Sequence, residues 1–291
     1  MDNIKFVSNS NEMEKLVFFS NISPVLLSGP TGSGKTTMVH TYARDKNYDI
    51  VTVTGDPNMT LSYLVGNFLP GVEKATWIDG PLTNACRRSI NGEKILFYFD
   101  EISTCPSDVL TGLHSLLDHR RTLFLPKLNE RITVSNDFRF IGSFNPEYGN
   151  LVNTISPAFW QRCIRLHVPY LSEQLEIELI TKYTHISTET AKHLVRVGTL
   201  TRTKLRNIIV EGAGTRLLLK AAQSFKVGYF NLDNIIFEII LQSLTTQEEY
   251  LKMIVNQLVL EGLMDPNSYP DIIDVPDQPS AEAFLREYAE D

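Results

Sequence analysis

The sequence predicts an α/β protein, a parallel sheet covered by helices on both faces, followed by a smaller all-helical C-terminal part. Three observations predict it. Short apolar runs alternate with helical patterns up to about residue 169. A glycine-rich octamer, Gly29-Pro-Thr-Gly-Ser-Gly-Lys-Thr36, joins the first such run to the first helix. Beyond Pro169 the strand-like runs stop and only helical periodicity continues.

The strands are expected at Pro24–Leu27, Asp49–Thr54, Ile95–Phe99, Phe138–Ser143 and Arg162–Val168. Between them, Thr37–Ala43, Thr60–Val65 and Ser107–Asp118 read as helices, the last with Ser107 as its cap. Two segments interrupt the alternation. Gly66–Leu82 is rich in Gly and Pro and carries Trp77; Thr122–Val134 reads as a hairpin, Leu123–Leu125 against Arg131–Val134. Both read as insertions projecting from the sheet. The C-terminal helices are expected at Ser172–Tyr183, Thr188–Val197, Gly214–Phe225 and Leu232–Leu241, with one or two more across Ser243–Glu261. The implied division is 1–169, an α/β domain; 170–264, a helical domain; and 265–291, an acidic tail.

The apolar share, 43%, is that of an ordinary globular chain, and no apolar stretch reaches membrane-spanning length. The N-terminus lacks the basic-then-apolar pattern of a signal peptide. Cys86, Cys105 and Cys163 are widely spaced, with no C-x-x-C pair, and imply neither a disulfide framework nor a zinc site. A cytoplasmic protein is the expectation. The net charge of −7 is concentrated in the tail, where eight acids face one base, Arg286. Such a tail is either a solvated end or a dock for a basic partner, and it argues against nonspecific nucleic-acid binding there.

The octamer fits G-x-x-x-x-G-K-[ST], the Walker A phosphate-binding loop, and its strand–loop–helix setting is the one this motif requires. The backbone N–H groups of Gly29, Pro30, Thr31, Gly32, Ser33, Gly34, Lys35, Thr36 and Thr37, less the proline's, would wrap nucleotide phosphates at a helix N-terminus. Lys35 would reach the β/γ-phosphates, and the Thr36 hydroxyl would bind Mg²⁺. Ile95-Leu-Phe-Tyr-Phe-Asp100-Glu101 has the matching Walker B form. Asp100 would hold Mg²⁺ and Glu101 would activate a water for attack on the γ-phosphate. A parallel sheet gathers its C-terminal strand ends at one edge. Asn145, ending Ile141-Gly-Ser-Phe-Asn145, would therefore either lie beside Glu101 and help hold that water or simply start the turn at Asn145-Pro146. His114, Asp118 and His119 are poorly aligned for a metal. Glu173, Glu176 and Glu178 read as a solvated helix face.

P-loop, strand-Asp-Glu, hairpin, strand-Asn and Gln161-Arg162, in that order, resemble the AAA+ ATPases. The hairpin resembles that of the helix-2-insert, pre-sensor-1 branch. Within that branch the chain is similar to MoxR-type proteins of the CbbQ/NirQ/NorQ family. The strings carrying this narrower likeness are Trp77-Ile-Asp-Gly-Pro-Leu-Thr-Asn-Ala85, Leu117-Asp-His-Arg-Arg121 with Leu125-Pro126, Ser143-Phe-Asn-Pro-Glu-Tyr148 and Glu211-Gly-Ala-Gly-Thr-Arg216-Leu-Leu. The likeness spans roughly residues 22–230.

The resemblance implies further roles. Asn145 becomes the sensor-1 residue, Arg162 the arginine finger offered to a neighbouring subunit, and Arg216 the sensor-2 arginine of a helical lid. Arg165 is the second choice of finger; Arg120 and Arg121 are candidates for another contact in trans. The insertions would face the pore of a homo-oligomeric, hexameric ring or a partner, with Phe68-Leu-Pro-Gly71 and Trp77 as apolar anchors, unless Trp77 packs its own loop. The implied activity is ATP hydrolysis with Mg²⁺, coupled to activating or maturing a metabolic enzyme. Rubisco and nitric oxide reductase are among the family's targets. The family also implies a von Willebrand factor A domain partner, supplied by a separate chain. A gas-vesicle assembly ATPase of the GvpN type shares the Trp-x-Asp…Leu-Thr-x-Ala pattern, although Asp118-His-Arg-Arg121 favours the CbbQ likeness. A nucleic-acid-coupled motor would need a basic stripe or DNA-binding module, which the sequence does not display.

Overall fold

The computed structural model describes residues 4–70, 75–146, 155–228 and 230–269. Gly71 of the first insertion, Glu147 and Tyr148 of the Ser143–Tyr148 string, and the acidic tail from residue 270 onward lie outside them. The chain divides into two compact units, with the boundary between Ser172 and Glu173.

The first unit is built on a five-stranded sheet in the order β2-β5-β8-β1-β9, comprising β1 (Val25–Ser28), β2 (Asp49–Thr54), β5 (Ile95–Asp100), β8 (Phe138–Phe144) and β9 (Ile164–His167). Every pairing in it is parallel. The three central strands are apolar almost without interruption, because side chains on both of their faces are buried. Along β5, Leu96 and Tyr98 point into one core, together with Val25, Leu27, Ile141 and the helices α1 (Glu12–Ser20) and α2 (Lys35–Asp45). Ile95, Phe97 and Phe99 point into the other, where α3 (Leu61–Val65), α4 (Pro81–Ile90), α5 (Ser107–Gly112) and α6 (His114–Leu117) pack. The α/β architecture is thus as expected, with helices on both faces. The edge strands β2 and β9 are mostly exposed or half-buried, with Val53 and Leu166 the residues each of them buries.

Several elements differ from expectation. Helix α1 was not anticipated: its N-cap Asn11 makes no side-chain capping bond, and Glu12 instead accepts hydrogen bonds from the Ser10 backbone N–H and hydroxyl. Helix α4 begins at the Gly80-Pro81 pair that read as loop, because a proline at the first helical position loses no hydrogen bond. The single helix expected over Ser107–Asp118 is two, broken at Leu113, and Pro106 occupies the cap position assigned to Ser107. The Gly66–Leu82 insertion also contains an antiparallel pair, β3 (Gly66–Leu69) with β4 (Thr76–Asp79), whereas the Thr122–Val134 insertion is the hairpin expected, β6 (Thr122–Leu125) with β7 (Glu130–Thr133). The last helix of this unit is the short α7 (Pro157–Trp160).

The second unit is helical: α8 (Glu173–Thr184), α9 (Thr188–Thr203), α10 (Thr215–Val227), α11 (Leu232–Ile235), a π-helical stretch Ile236–Leu241 running into α12 (Gln242–Leu244), and α13 (Glu248–Leu260). Helix α9 extends past Val197 through Gly198, where a Cβ would lie 2.8 Å from the Leu218 side chain; the glycine admits α10 rather than ending α9. The reading of Glu176 as solvated is overturned. Its side chain is 0% exposed and takes the Arg202 guanidinium through two bonds of 2.8 Å, with the Thr215 hydroxyl donating at 2.6 Å. A carboxylate is buried here because it is paired and fully hydrogen-bonded.

Candidate nucleotide-binding site

The octamer runs from the end of β1 into the first residues of α2, Lys35 and Thr36. Gly32 and Gly34 hold φ of 75° and 94°, left-handed values that side chains resist. Gly29 is pressed against the end of β9, where a Cβ would sit 2.2 Å from the Val168 carbonyl oxygen. Helix α2 starts without a side-chain cap, which leaves its first N–H groups available to an anion. Lys35 Nζ folds back onto the loop, donating to the carbonyls of Gly29 (2.7 Å) and Pro30 (2.9 Å). Inside the loop the buried Ser33 hydroxyl has no hydrogen-bond partner among the described residues. A phosphate oxygen would satisfy it.

Thr31 is braced from two sides: Asn145 Nδ2 donates to its hydroxyl at 3.2 Å, and the Tyr170 hydroxyl donates to its carbonyl at 3.2 Å. Asn145 follows the last residue of β8 and so reaches the phosphate loop. Ahead of the loop, Phe6 packs against Gly34, and Asn9 pins the chain at Tyr170 and Ser172.

Asp100, at the end of β5, meets the Thr36 hydroxyl at 3.3 Å on Oδ2. On Oδ1 it accepts from the Tyr98 hydroxyl (2.8 Å), the Ser143 hydroxyl and the Glu101 N–H (3.1 Å). Hydroxyl and carboxylate oxygens are the hard donors that Mg²⁺ takes, so the residues present fit that ion. Burial raises the Tyr98 pKa, and the Asp100 carboxylate raises it further, so the phenol stays a donor. Glu101 holds φ of 51°, a left-handed strain of about 1–2 kcal/mol for a non-glycine residue. Its side chain is exposed, and its carbonyl is tied by the Thr104 hydroxyl at 2.8 Å. Gly55 leaves room for that carbonyl, since a Cβ there would stand 2.3 Å away.

Arg162 follows α7. Its Nη1 donates to the Ala158 carbonyl, and its Nε lies 3.7 Å from Asp118 Oδ2. Arg120 clamps the same carboxylate through Nε at 3.0 Å and Nη2 at 2.7 Å. This clamp holds the Asp118 carboxyl down at about 2, against an ordinary 3.8. The lowered value means the contact contributes above the ordinary value and is lost as the pH falls through about 2. Asp118 is therefore expected to protonate among the last carboxylates in a ¹³C-carboxyl titration; a midpoint near 4 would contradict the clamp. Arg165 lies over the Trp160 ring at 5.7 Å. Arg121 is turned inward, donating to the carbonyls of Ser135 (2.7 Å) and Phe138 (3.1 Å), so its guanidinium anchors the β6–β7 hairpin.

Trp77 packs its own hairpin. Its ring meets Phe68 edge-on at 5.3 Å, and its Nε1 donates to Asp79 at 2.6 Å. The apolar groups left exposed there are Phe68, Leu69 and Ile78, at 40%, 50% and 51%. Arg87 on α4 joins the two hairpins, bonding Asp79 at 2.8 Å and Glu130 at 2.7 and 2.6 Å.

Arg216 is exposed in the first turn of α10, in the second unit. The residues before it are fixed by the buried pair: Arg202 Nε donates to the Ala213 carbonyl at 2.7 Å, and Thr215 bonds Glu176.

Known proteins resemble this chain in family and fold. The AAA domain model (dynein-related subfamily) matches residues 24–163, and the CbbQ/NirQ/NorQ C-terminal model matches 176–259. Protein NorQ of Paracoccus denitrificans is 32% identical over 230 residues, 79% of this chain and 83% of the relative. The chain belongs to the CbbQ/NirQ/NorQ family of MoxR-type AAA+ proteins. Protein CbbQ of Hydrogenophilus thermoluteolus is 33% identical over 210 residues, 72% of this chain and 77% of the relative. A solved structure of NtrX from Brucella abortus shares the fold alone, at 14% identity with a TM-score of 0.53 over 98% of this chain and 68% of that one. For a CbbQ/NirQ/NorQ protein, the residues that sequence motifs left unremarked are Tyr98, Ser143 as a partner of Asp100, Asp118 as a partner of Arg162, and the Glu176–Arg202 pair. Among the described residues no helix is long and apolar enough to cross a membrane.

Proposed function

We propose that the chain is an ATP-hydrolysing remodelling motor that works as a homo-oligomeric, hexameric ring in the cytoplasm. With a von Willebrand factor A domain partner, it activates or matures a metabolic enzyme of the kind served by the CbbQ/NirQ/NorQ family, such as Rubisco or nitric oxide reductase. The observation that carries the ATPase part is the meeting of Thr36 and Asp100 at 3.3 Å beside Lys35, with Glu101 one residue further on. Lys35 would leave the loop carbonyls for the β/γ-phosphates. Thr36 and Asp100 would hold Mg²⁺, which supplies Lewis-acid stabilisation of charge on the phosphoryl oxygens. Glu101 would orient and deprotonate the attacking water, with Asn145 holding it from the neighbouring strand end. Arg162 from the next subunit and Arg216 from the helical unit would neutralise the charge that develops on the γ-oxygens.

The likeness to NorQ and CbbQ supports an activase of this family, and the exposed Phe68, Leu69 and Ile78 offer a polypeptide-binding edge. Glu101→Gln is expected to abolish turnover and retain ATP binding, because an amide cannot take the water's proton; unchanged hydrolysis would remove Glu101 from its role. ATPase assays with DNA, and with proteins that co-purify with the chain, test the coupling. Stimulation by DNA and by no partner protein would overturn the remodelling reading.

A further inference from the structure

The Walker B strand carries an unusual residue for its apolar surroundings. Tyr98 is 0% exposed, yet its hydroxyl sits among the side chains that would hold the metal. It lies 2.8 Å from Asp100 Oδ1, 3.0 Å from the Ser143 hydroxyl and 3.3 Å from the Thr36 hydroxyl. The strand's alternation places it there: Leu96, Tyr98 and Asp100 share one face of β5, the face that α2 covers.

The hydrogen-bond inventory is selective. A phenol carries one hydrogen, which Tyr98 gives to Asp100 Oδ1. The Ser143 hydroxyl and the Glu101 N–H go to the same oxygen. Oδ2 faces only Thr36 among the described residues. With three donors on one oxygen, the carboxylate cannot rotate without breaking them, and Oδ2 is left as the atom aimed at the metal side. Partners of this kind commonly set the orientation of a metal-binding carboxylate.

We infer that Tyr98 is a positioning residue for the metal site: its hydroxyl, with that of Ser143, locks the Asp100 carboxylate so that Oδ2 and the Thr36 hydroxyl together receive the divalent cation. The inference rests on the reading of Thr36 and Asp100 as the Mg²⁺-holding pair. Tyr98 touches neither nucleotide nor water in this scheme; it acts through Asp100.

The test is a binding measurement on the full chain, using a fluorescent N-methylanthraniloyl-ATP probe, first in EDTA and then across a Mg²⁺ titration. Tyr98→Phe keeps the buried ring and removes one oxygen. It is expected to bind the probe in EDTA as the unsubstituted chain does, and to need about tenfold more Mg²⁺ for half-maximal effect, the lower end of what loss of such a partner costs in metal affinity. A Mg²⁺ curve superimposable on that of the unsubstituted chain overturns the inference. If Tyr98→Phe does not fold, Ser143→Ala serves, because it removes the other hydroxyl from Oδ1. The same rightward shift supports the lock, and an unshifted curve overturns it. An unsubstituted chain whose probe binding is indifferent to Mg²⁺ overturns the metal assignment of Thr36 and Asp100 and this inference with it, an outcome distinct from an effect confined to the variant.

Discussion

Arg162→Ala is expected to cut ATP turnover by about 10³–10⁵, the range an arginine finger supplies, while leaving nucleotide binding by the same subunit intact. The expectation follows from where charge develops. A loose phosphoryl transfer spreads negative charge over the γ-oxygens, and a guanidinium delivered from a neighbour stabilises it only in an assembled ring. Arg162 suits that delivery. It is anchored at the Ala158 carbonyl and near Asp118, rather than sealed in a bidentate pair. Arg165→Ala is expected to do less, since that guanidinium is already stacked on Trp160. Mixing separates trans from cis. Arg162→Ala chains retain Glu101, and Glu101→Gln chains retain Arg162, so a mixed ring contains interfaces complete in both. Recovery of activity on mixing two inactive proteins supports the trans role. A null Arg162→Ala protein that mixing cannot rescue places the arginine in cis, and an undiminished rate removes it from the reaction.

Glu176→Ala is expected to be the most destabilising single change in the helical unit, at about 3–5 kcal/mol, the usual effect of removing one partner from a buried ion pair. Arg202 would remain buried without its counterion, and Thr215 would lose its acceptor. Because the chain has two units, a two-state analysis of the whole is not assumed; the transition belonging to the helical unit is followed in urea by hydrogen exchange of α8–α10 amides. Glu176→Ala with Arg202→Met should be less damaged than Glu176→Ala alone, since no charge is then stranded. A single variant whose transition moves by only a few tenths of a kcal/mol would show that the pair is dispensable. Under the role proposed for Arg216, loosening the Ala213–Thr215 turn before it is expected to cost part of the ATPase while nucleotide binding is retained.

The elements legible in the sequence were those whose local pattern matches their burial. Strands β1, β5 and β8 are buried on both faces along most of their length and are therefore largely apolar, and the phosphate loop declares itself through glycines that its backbone requires. Thr36 with Asp100 was legible for the same reason, because two spaced motifs converge at one sheet edge. Helices α1 and α4 were obscured by their starts, one uncapped and the other opening on Gly-Pro, a pair shared with turns. Glu176 stood among acids and looked solvated, because its partner Arg202 is 26 residues away. Tyr98 passed for one more apolar residue, since nothing in the pentamer reveals that its hydroxyl faces an acid on the same strand. Trp77 read equally as an outward anchor or as packing for its own loop, and Arg121 as one candidate for a contact in trans; ring size and hydrogen-bond capacity let both serve their own hairpins.

Arg87 has a mechanical meaning beyond its ion pairs. Asp79 closes one hairpin and Glu130 opens a strand of the other, 43 residues from the arginine, and a single guanidinium grips both. The two projections are thereby spliced into one lever: a tug on either tip is felt at the root of the other. The splice is ionic and half exposed, so salt loosens it where salt would leave an apolar hinge intact.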